Sequence, residues 1–189
     1  MPILKREQDI WPLNLFESLE ENSISSDERW WAMYTLPRFE KKLMRQLLDL
    51  EISFYGPMIE KKYRSPQGRM RTAYTALFPN YVFVRGNEMS RYRTITTGSV
   101  SQCLEVPDPE AFQRDLIQLY RLIRTGEPML PEDRVDVGEL VRIKSGVFKG
   151  FEGTVARREN EVRLLISVRY MGRGASVLLE DCQVEVIKS

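Results

Sequence analysis

The feature that most constrains this chain is a change of pattern near residue 134. From there on, short segments rich in β-branched residues alternate with six glycines. β-Branched residues favour strands, and each glycine costs roughly 1 kcal/mol in a helix interior relative to alanine. The pattern therefore predicts a small all-β barrel over 134–189 and argues against a helical fold there. The strand candidates are 140–143, 153–156, 162–170, 176–179 and 184–187.

Strand and helix patterns alternate in the preceding segment, 29–126. The predicted order is β-α-β-β-α-β, which is typical of a ferredoxin-like domain, so the whole chain is assigned to the α+β class. The predicted strands are 30–36, 52–63, 71–85 and 100–106, and the predicted helices between them are 37–50 and 89–97. A third helix is expected to begin at Asp108-Pro109 and to stop at Gly126.

Two further segments lie outside these predicted domains. Residues 1–28 contain two basic and seven acidic residues and show little periodicity. They predict a flexible acidic extension, with a docking peptide as the alternative. The segment 127–133 carries two prolines and predicts a linker. The predicted division is therefore 1–28, 29–126, 127–133 and 134–189.

The residue inventory narrows the function classes. The 189 residues include no histidine, which removes the commonest general base and zinc ligand. Cys103 and Cys182 lack CxxC spacing, which favours reduced thiols over a disulfide. We expect no catalytic residue, cofactor or metal site. No apolar stretch approaches the ~20 residues of a membrane helix, so we expect a cytoplasmic protein that binds no membrane.

Charge is distributed unevenly along the chain. Residues 60–93 hold eight basic and two acidic residues, although the net charge of the chain is only +1. A basic block of this kind can neutralise nucleic-acid phosphates. A solvated hairpin is the alternative interpretation, and the sequence leaves both open.

A recognisable motif lies in the C-terminal barrel segment. Residues 138–155 read GELVRIKSGVFKGFEGTV and resemble the KOW motif, in which a glycine turn with aromatics separates two strands. Met171-Gly172-Arg173 and Gln183-Val184-Glu185 resemble the end of such a domain. The resemblance implies an SH3-like KOW barrel. Val147 stands where proline is often found, a departure that does not disrupt a barrel.

The N-terminal domain carries a second resemblance. Trp30-Trp31-Ala32-Met33-Tyr34, followed by a basic helix, resembles the start of the N-terminal (NGN) domain of the NusG family. Leu77-Phe78-Pro79-Asn80-Tyr81 is similar to the Phe-Phe-Pro-Gly-Tyr element of that family, in a form closer to the specialised RfaH-like paralogues. Because two matching domains occur in the expected order over about 29–187, the chain is identified as a member of this family of transcription elongation and antitermination factors.

The resemblance implies specific partners for a monomeric protein. The first is RNA polymerase, whose clamp helices would be contacted by Leu77, Phe78, Pro79 and Tyr81. Upstream or non-template DNA would be contacted by Arg38, Lys41, Lys42, Arg45 and Thr97. Phe148 and Phe151 would bind a second factor, either a ribosomal protein or a termination factor, and packing in the barrel core is the alternative for both. Such a factor suppresses pausing or termination.

Two other function classes remain open at this point. The β-α-β-β-α-β order is also that of an RRM, so a free RNA-binding protein that does not act through polymerase is the second hypothesis. An RRM stacks bases on sheet aromatics, which Tyr81 and Phe83 partly match, but its Arg-Gly-Phe-type signature is absent. An enzyme is the third hypothesis, and neither a phosphate loop nor a suitably paired set of carboxylates supports it.

Overall fold

The structure is a computed structural model that describes residues 7–21, 27–132, 140–158, 161–180 and 184–187. The chain divides into two compact units, Met1–Pro109 and Glu110–Ser189. The sequence predictions for residues 1–6, 22–26, 133–139 and Cys182 lie outside the described residues.

The N-terminal unit contains the predicted alternation of strands and helices. Its strands are β1 (Ile10–Trp11), β2 (Arg29–Thr35), β3 (Ser53–Tyr55), β4 (Met58–Arg64), β5 (Met70–Ala76), β6 (Tyr81–Gly86) and β7 (Val100–Glu105). Its helices are α1 (Leu15–Glu21), α2 (Glu40–Asp49) and α3 (Glu88–Ile95). An antiparallel sheet joins five of the strands in the order β1-β3-β6-β2-β7, and β4 and β5 form a separate two-stranded ribbon. The ferredoxin-like prediction is confirmed, with the ribbon inserted between β3 and β6.

The two faces of this sheet bury different side chains. On one face, Leu43, Met44 and Leu47 of α2 pack into a core formed with residues of β2, β3 and β6. The other face is aromatic, and there Phe16 of α1 stacks on Trp30 of β2 at 6.3 Å between ring centroids. Both faces are therefore apolar, as in a sheet that is covered on both sides.

The N-terminal extension differs from the flexible segment that its acidity predicts. Strand β1 pairs with β3, and Asp9 accepts a hydrogen bond of 2.7 Å from the amide of Gly56. Leu15, Phe16 and Leu19 of α1 are buried. Because these apolar side chains are buried and Phe16 covers the aromatic face of the sheet, the described part of the extension is ordered despite its charge.

Helix α2 begins later than Pro37, where the sequence pattern places its start. Arg38 has φ of 66°, in the left-handed region, which no α-helix can include. The amide of Phe39 instead donates to the carbonyl of Leu36 at 3.0 Å in a turn, and the helix begins at Glu40. The turn separates Arg38 from the regular helix surface.

The C-terminal unit combines a helix with an antiparallel sheet. Apart from its first residue, helix α4 (Pro109–Arg124) belongs to this unit. The strands are β8 (Met129–Glu132), β9 (Leu140–Ile143), β10 (Glu152–Arg158), β11 (Glu161–Val168), β12 (Arg173–Leu178) and β13 (Val184–Val186), in the sheet order β13-β9-β10-β11-β12-β8. All five predicted strands are present, so the barrel prediction is confirmed. Gly153 is needed for strand packing, because a Cβ there would meet the carbonyl oxygen of Leu165.

The predicted linker 127–133 also differs from what the structure shows. Residues 129–132 form β8, which pairs antiparallel with β12. The Glu132 carboxylate accepts a 2.6 Å hydrogen bond from the Ser176 hydroxyl, and Arg163 donates to that hydroxyl at 3.0 Å. Proline suggests a linker in sequence, but Pro131 lies on an edge strand, where proline is tolerated.

Candidate functional site

The loop between β5 and β6, residues 77–80, is the first candidate surface. Leu77 and Phe78 are only 2% exposed, and the ring of Phe78 lies 5.9 Å from that of Phe83 in the sheet. Sequence analysis assigns both residues to the polymerase contact, but the structure buries the side chains of Leu77 and Phe78 in the core. In the sequence, an aromatic residue next to proline in this family element indicates a contact with a partner protein. In the structure, the Phe78 ring packs in the core of the domain instead.

The accessible residues at this site are Pro79 in the loop and Tyr81 at the start of β6. Pro79 is exposed, and Tyr81 is half-buried with its ring edge-on to Tyr34 at 5.0 Å. The two tyrosines are directly paired across β6 and β2, on the aromatic face of the sheet. They form a rigid, partly exposed aromatic step at the end of two strands, which suits an interface anchor.

Asn80 fixes this loop against the start of α2. Its φ of 66° lies in the left-handed region that glycine and asparagine adopt most readily. Its amide donates to the Glu40 carboxylate at 2.7 Å, and its carbonyl accepts from the amide of Thr35 at 2.8 Å. Sequence analysis did not single out Glu40, because a carboxylate in a first helical turn is common and signals no particular contact.

The predicted basic residues lie at the same end of the domain. Arg38, Lys42 and Arg45 are exposed, and Lys41 is half-buried. The Lys42 ammonium lies 4.4 Å from the centre of the Phe39 ring, within cation–π distance. Arg45 and Lys41 are neighbours on the helix surface, one turn apart, and Arg45 donates to the Lys41 carbonyl at 3.1 Å. The helix start therefore presents a cluster of positive charge to solvent.

Gln46 brings the predicted Thr97 to this cluster. The Gln46 amide donates to the carbonyl of Thr97 at 3.3 Å and accepts from the Ser99 hydroxyl at 2.6 Å. The carbonyl of Ser99 in turn accepts from the amide of Leu36 at 3.0 Å. Sequence reasoning missed Gln46, since a half-buried glutamine on a basic helix carries no distinctive signal.

The predicted KOW loop is the second candidate surface. Phe148 is 8% exposed, and its ring lies 6.2 Å from that of half-buried Phe151. The turn that holds both rings includes Gly150 at φ of 90°, whose amide donates to the carbonyl of Ile143 at 2.8 Å. The core interpretation therefore fits Phe148, while Phe151 keeps an accessible edge.

An apolar groove lies beside this loop within the C-terminal unit. Val147 is 64% exposed and Leu130 is 54% exposed, and neither was selected from the sequence. The charged residues at the groove are Glu127, Glu161, Glu180 and Arg163. Its apolar lining is Pro128, Met129, Leu130, Val147, Phe148 and Leu178. Val147 could have been selected from the sequence, because an apolar residue in a predicted turn is expected to be exposed.

Cys103 is the one cysteine among the described residues. It is free and half-buried, and burial raises the pKa of its thiol, while the neighbouring Arg91 guanidinium opposes that rise. A raised pKa keeps the thiol protonated and unreactive. Within the described ranges, no cluster of Cys, Asp and Glu residues could hold a metal ion. No helix in those ranges is long and apolar enough to cross a membrane.

Comparison with known proteins identifies the family. A family profile described as "Transcription termination factor nusG" matches residues 28–119, which carry the sheet, the 77–81 loop and the basic helix start. Residues 28–119 belong to the NusG family. Because members of this family are non-enzymatic transcription factors, the chain is a transcription factor and the enzyme hypothesis is set aside.

Relatives that carry the NusG name match the chain over both units. "Transcription termination/antitermination protein NusG" of Vibrio vulnificus is 29% identical over 178 residues, 84% of this chain and 95% of the relative. The protein of the same name from Pseudomonas aeruginosa is 27% identical over 85% of this chain and 99% of its own length. That of Lactococcus lactis is 28% identical over 90% and 99%. Among solved structures, a chain of the crystal structure of the MjSpt4:Spt5 complex is 18% identical, with a TM-score of 0.27 over 85% of this chain and 99% of that one.

Proposed function

We propose that this NusG-family chain binds the clamp helices of RNA polymerase through Pro79 and Tyr81 and suppresses pausing or termination. The relatives are named termination and antitermination proteins, and their alignments include the loop that carries both residues. The protein acts where polymerase acts, in the cytoplasm. The Leu77-Phe78-Pro79-Asn80-Tyr81 element favours a specialised, RfaH-like role over a general one, and this role stays a prediction.

One observation carries the proposal, namely the hydrogen bond between Glu40 and Asn80. It joins the aromatic step to the first turn of the basic helix at 2.7 Å. An apolar anchor and a cationic surface therefore lie side by side on one end of the domain. A transcribing polymerase offers protein and DNA side by side, so a surface with these two parts fits the clamp helices and the neighbouring upstream or non-template DNA.

The DNA part of the proposal rests on exposure and charge. The cationic side chains of Arg38, Lys42 and Arg45 are exposed, and long flexible cations of this kind contact phosphates without reading sequence. Thr97 lies beside them because of its contact with Gln46. The Thr97 hydroxyl donates to the Thr94 carbonyl at 2.7 Å and accepts from the Ser99 amide at 3.3 Å, so a hydrogen bond to a phosphate requires that the hydroxyl give up the Thr94 carbonyl.

The KOW barrel supplies the second contact. The groove beside Phe148 and Phe151 offers exposed apolar residues with charge at its edge, as in a docking surface for protein. We propose that a ribosomal protein or a termination factor binds there. Phe148 and exposed Val147 line the groove, and half-buried Phe151 lies next to Phe148.

The packing of the sheet disfavours the free RNA-binding alternative. Trp30, Tyr55 and Phe83 lie on the sheet face that an RRM would use, and each is at most 1% exposed. Phe16 of α1 occupies the space above them, stacked on Trp30 and edge-on to Tyr55 at 5.0 Å. Bases therefore have no open aromatic platform on these three residues.

The experiment is a binding titration with core RNA polymerase in the absence of nucleic acid. Tyr81→Ala is expected to lower the affinity by at least ~30-fold, since an interface anchor typically contributes ~2 kcal/mol or more. Tyr63→Ala is the matched control, because Tyr63 is an exposed tyrosine on the β4–β5 ribbon. Equal affinities for wild type and Tyr81→Ala would remove the aromatic step from the polymerase interface.

A further inference from the structure

The β4–β5 ribbon is a surface that the proposed function does not use. Its base is buried, with Met58 and Ile59 in the core, and the carbonyl of Pro57 accepts from the amide of Leu77 at 2.8 Å. Beyond the base, every residue of β4 from Glu60 to Arg64 is exposed. The turn at 65–68 closes the ribbon with Gly68 at φ of 77°. The ribbon is therefore anchored at one end and open to solvent on both faces.

The cross-strand register groups its side chains into two sets. On one face, Tyr63 stands directly opposite Arg71, and Lys61 stands opposite the small Ala73. Because directly opposed residues have Cβ atoms about 5 Å apart, this face presents an aromatic ring between two cations. Tyr63 is 43% exposed, so its ring is accessible. The face carries no acidic residue.

The opposite face and the tip are also basic. Lys62 and Arg64 lie on the second face, and Arg69 follows the turn at the tip. Glu60 is the single carboxylate of the ribbon, and it lies 3.6 Å from the Lys62 ammonium. In the part of the chain that the structure describes, no carboxylate forms an ion pair with the remaining cations, Lys61, Arg64, Arg69 and Arg71.

We propose that the β4–β5 ribbon enters the major groove of B-form duplex DNA. A two-stranded ribbon fits a groove about 12 Å wide, and cations on both faces meet the phosphates on both sides of it. The deep, narrow major groove of A-form RNA does not admit such a ribbon. Binding to a single strand would require a series of stacking aromatics, and Tyr63 is the one exposed aromatic on the ribbon's described residues.

The β4–β5 ribbon is a different surface from the basic start of α2. The ribbon cations come from Lys61 to Arg71, whereas the helix cations come from Arg38 to Arg45. A duplex could contact either surface, so wild-type DNA binding alone does not identify the ribbon. The loss of binding in ribbon variants does identify it, and polymerase is not needed for the measurement.

The test is a fluorescence anisotropy titration of the full chain with a DNA duplex of about 20 base pairs, over a series of salt concentrations from about 50 mM. The variant is Lys61→Gln with Arg71→Gln. The matched control is Arg114→Gln with Lys149→Gln, which removes the same charge from exposed positions of the C-terminal unit. We expect the ribbon variant to flatten the slope of log affinity against log salt by about 1.8, since each phosphate contact contributes about 0.9. The control is expected to keep the wild-type slope.

A second measurement uses wild-type protein and needs no variant. Acetylation of Lys61 and Lys62, followed by mass spectrometry, is expected to slow when the DNA duplex is added, and that of Lys149 is expected to stay the same. Protection of Lys61 and Lys62 together with a flattened slope supports the proposal. It is overturned if the slope of the ribbon variant equals that of wild type, or if the two lysines stay fully reactive. Binding of an RNA duplex or single-stranded DNA as tight as that of the DNA duplex also overturns it.

Discussion

The carboxylate of Asp115 in α4 binds both the backbone amide and the guanidinium group of Arg169. The carboxylate accepts from the Arg169 amide at 2.9 Å and from the guanidinium at 3.0 Å. Asp115 is buried, and the ring of Phe112, on the same helix, lies edge-on to Tyr170 at 5.8 Å. Helix α4 is thereby tied to the barrel segment after β11, within the C-terminal unit.

Asp115→Ala is expected to destabilise the C-terminal unit by about 2 kcal/mol, because hydrogen bonds to a charged group contribute about 1.5–3 kcal/mol each and the exposed guanidinium regains water. The measurement is urea unfolding followed by the NMR signals of Val168 and Val177 in the barrel. Arg114→Ala is the control, since its ion pair with Glu110 is exposed and 3.9 Å long. Equal unfolding midpoints for Asp115→Ala and wild type would contradict the role of the Asp115 contact.

Phe78→Ala is expected to destabilise the N-terminal unit by about 3–5 kcal/mol, since it removes a large buried ring and leaves a cavity. All three tryptophans, Trp11, Trp30 and Trp31, lie in this unit, so urea unfolding followed by tryptophan fluorescence reports on it selectively. Leu13→Ala is the control, because Leu13 is 66% exposed and its truncation should cost less than about 1 kcal/mol. A Phe78→Ala variant as stable as the control would show that the ring is not part of the core.

Charge reversal of Lys41 and Lys42 is expected to weaken binding to transcription elongation complexes and to flatten its salt dependence by about 1.8, as the loss of two phosphate contacts requires. The measurement is an affinity series at increasing salt with Lys41→Glu and Lys42→Glu combined. Reversal of Arg114 and Lys149, which are exposed in the other unit, is the control. A salt slope identical to that of wild type would mean that the two lysines contact no phosphate.

Strand β8 is expected to behave as part of the sheet and not as a flexible tether. Hydrogen exchange of a peptide that covers Met129–Glu132 should be much slower than that of an unstructured chain, because the strand is paired with β12. Glu132→Ala should accelerate it, since the change removes the acceptor of the Ser176 hydroxyl. Exchange at the unstructured rate in wild type would restore the linker interpretation.

The Cys103 thiol is expected to react slowly with iodoacetamide. Burial raises its pKa, so at any pH near 8 the thiolate fraction is smaller than that of a free cysteine, and the alkylation rate should rise at higher pH than for free cysteine. The measurement is a pH series of alkylation rates in a Cys182→Ser background, with free cysteine as the reference. A rate profile that coincides with that of free cysteine would contradict the raised pKa.

Local sequence patterns were sufficient to predict those elements whose structure is decided by neighbouring residues along the chain. The strand candidates of the barrel, the ribbon turn at 65–68 and the stop of α4 near Gly126 all follow from glycine, proline and β-branched residues in short windows. The start of α2 did not follow, because the left-handed conformation of Arg38 carries no signal in a residue that usually avoids it. The position of Thr97 beside the basic helix depends on Gln46, 51 residues away in sequence.

The sequence by itself determined the α+β class, the order of strands and helices and the resemblance to the NusG family, because periodicity and turn chemistry are local. Tertiary structure alone decided which side of each element is covered. It buried Phe78 and left Pro79 exposed, although they are adjacent, because the ring of Phe78 packs on Phe83 across the sheet. It also ordered an acidic N-terminal segment, because burying Leu15, Phe16 and Leu19 outweighs the solvation of the charges around them.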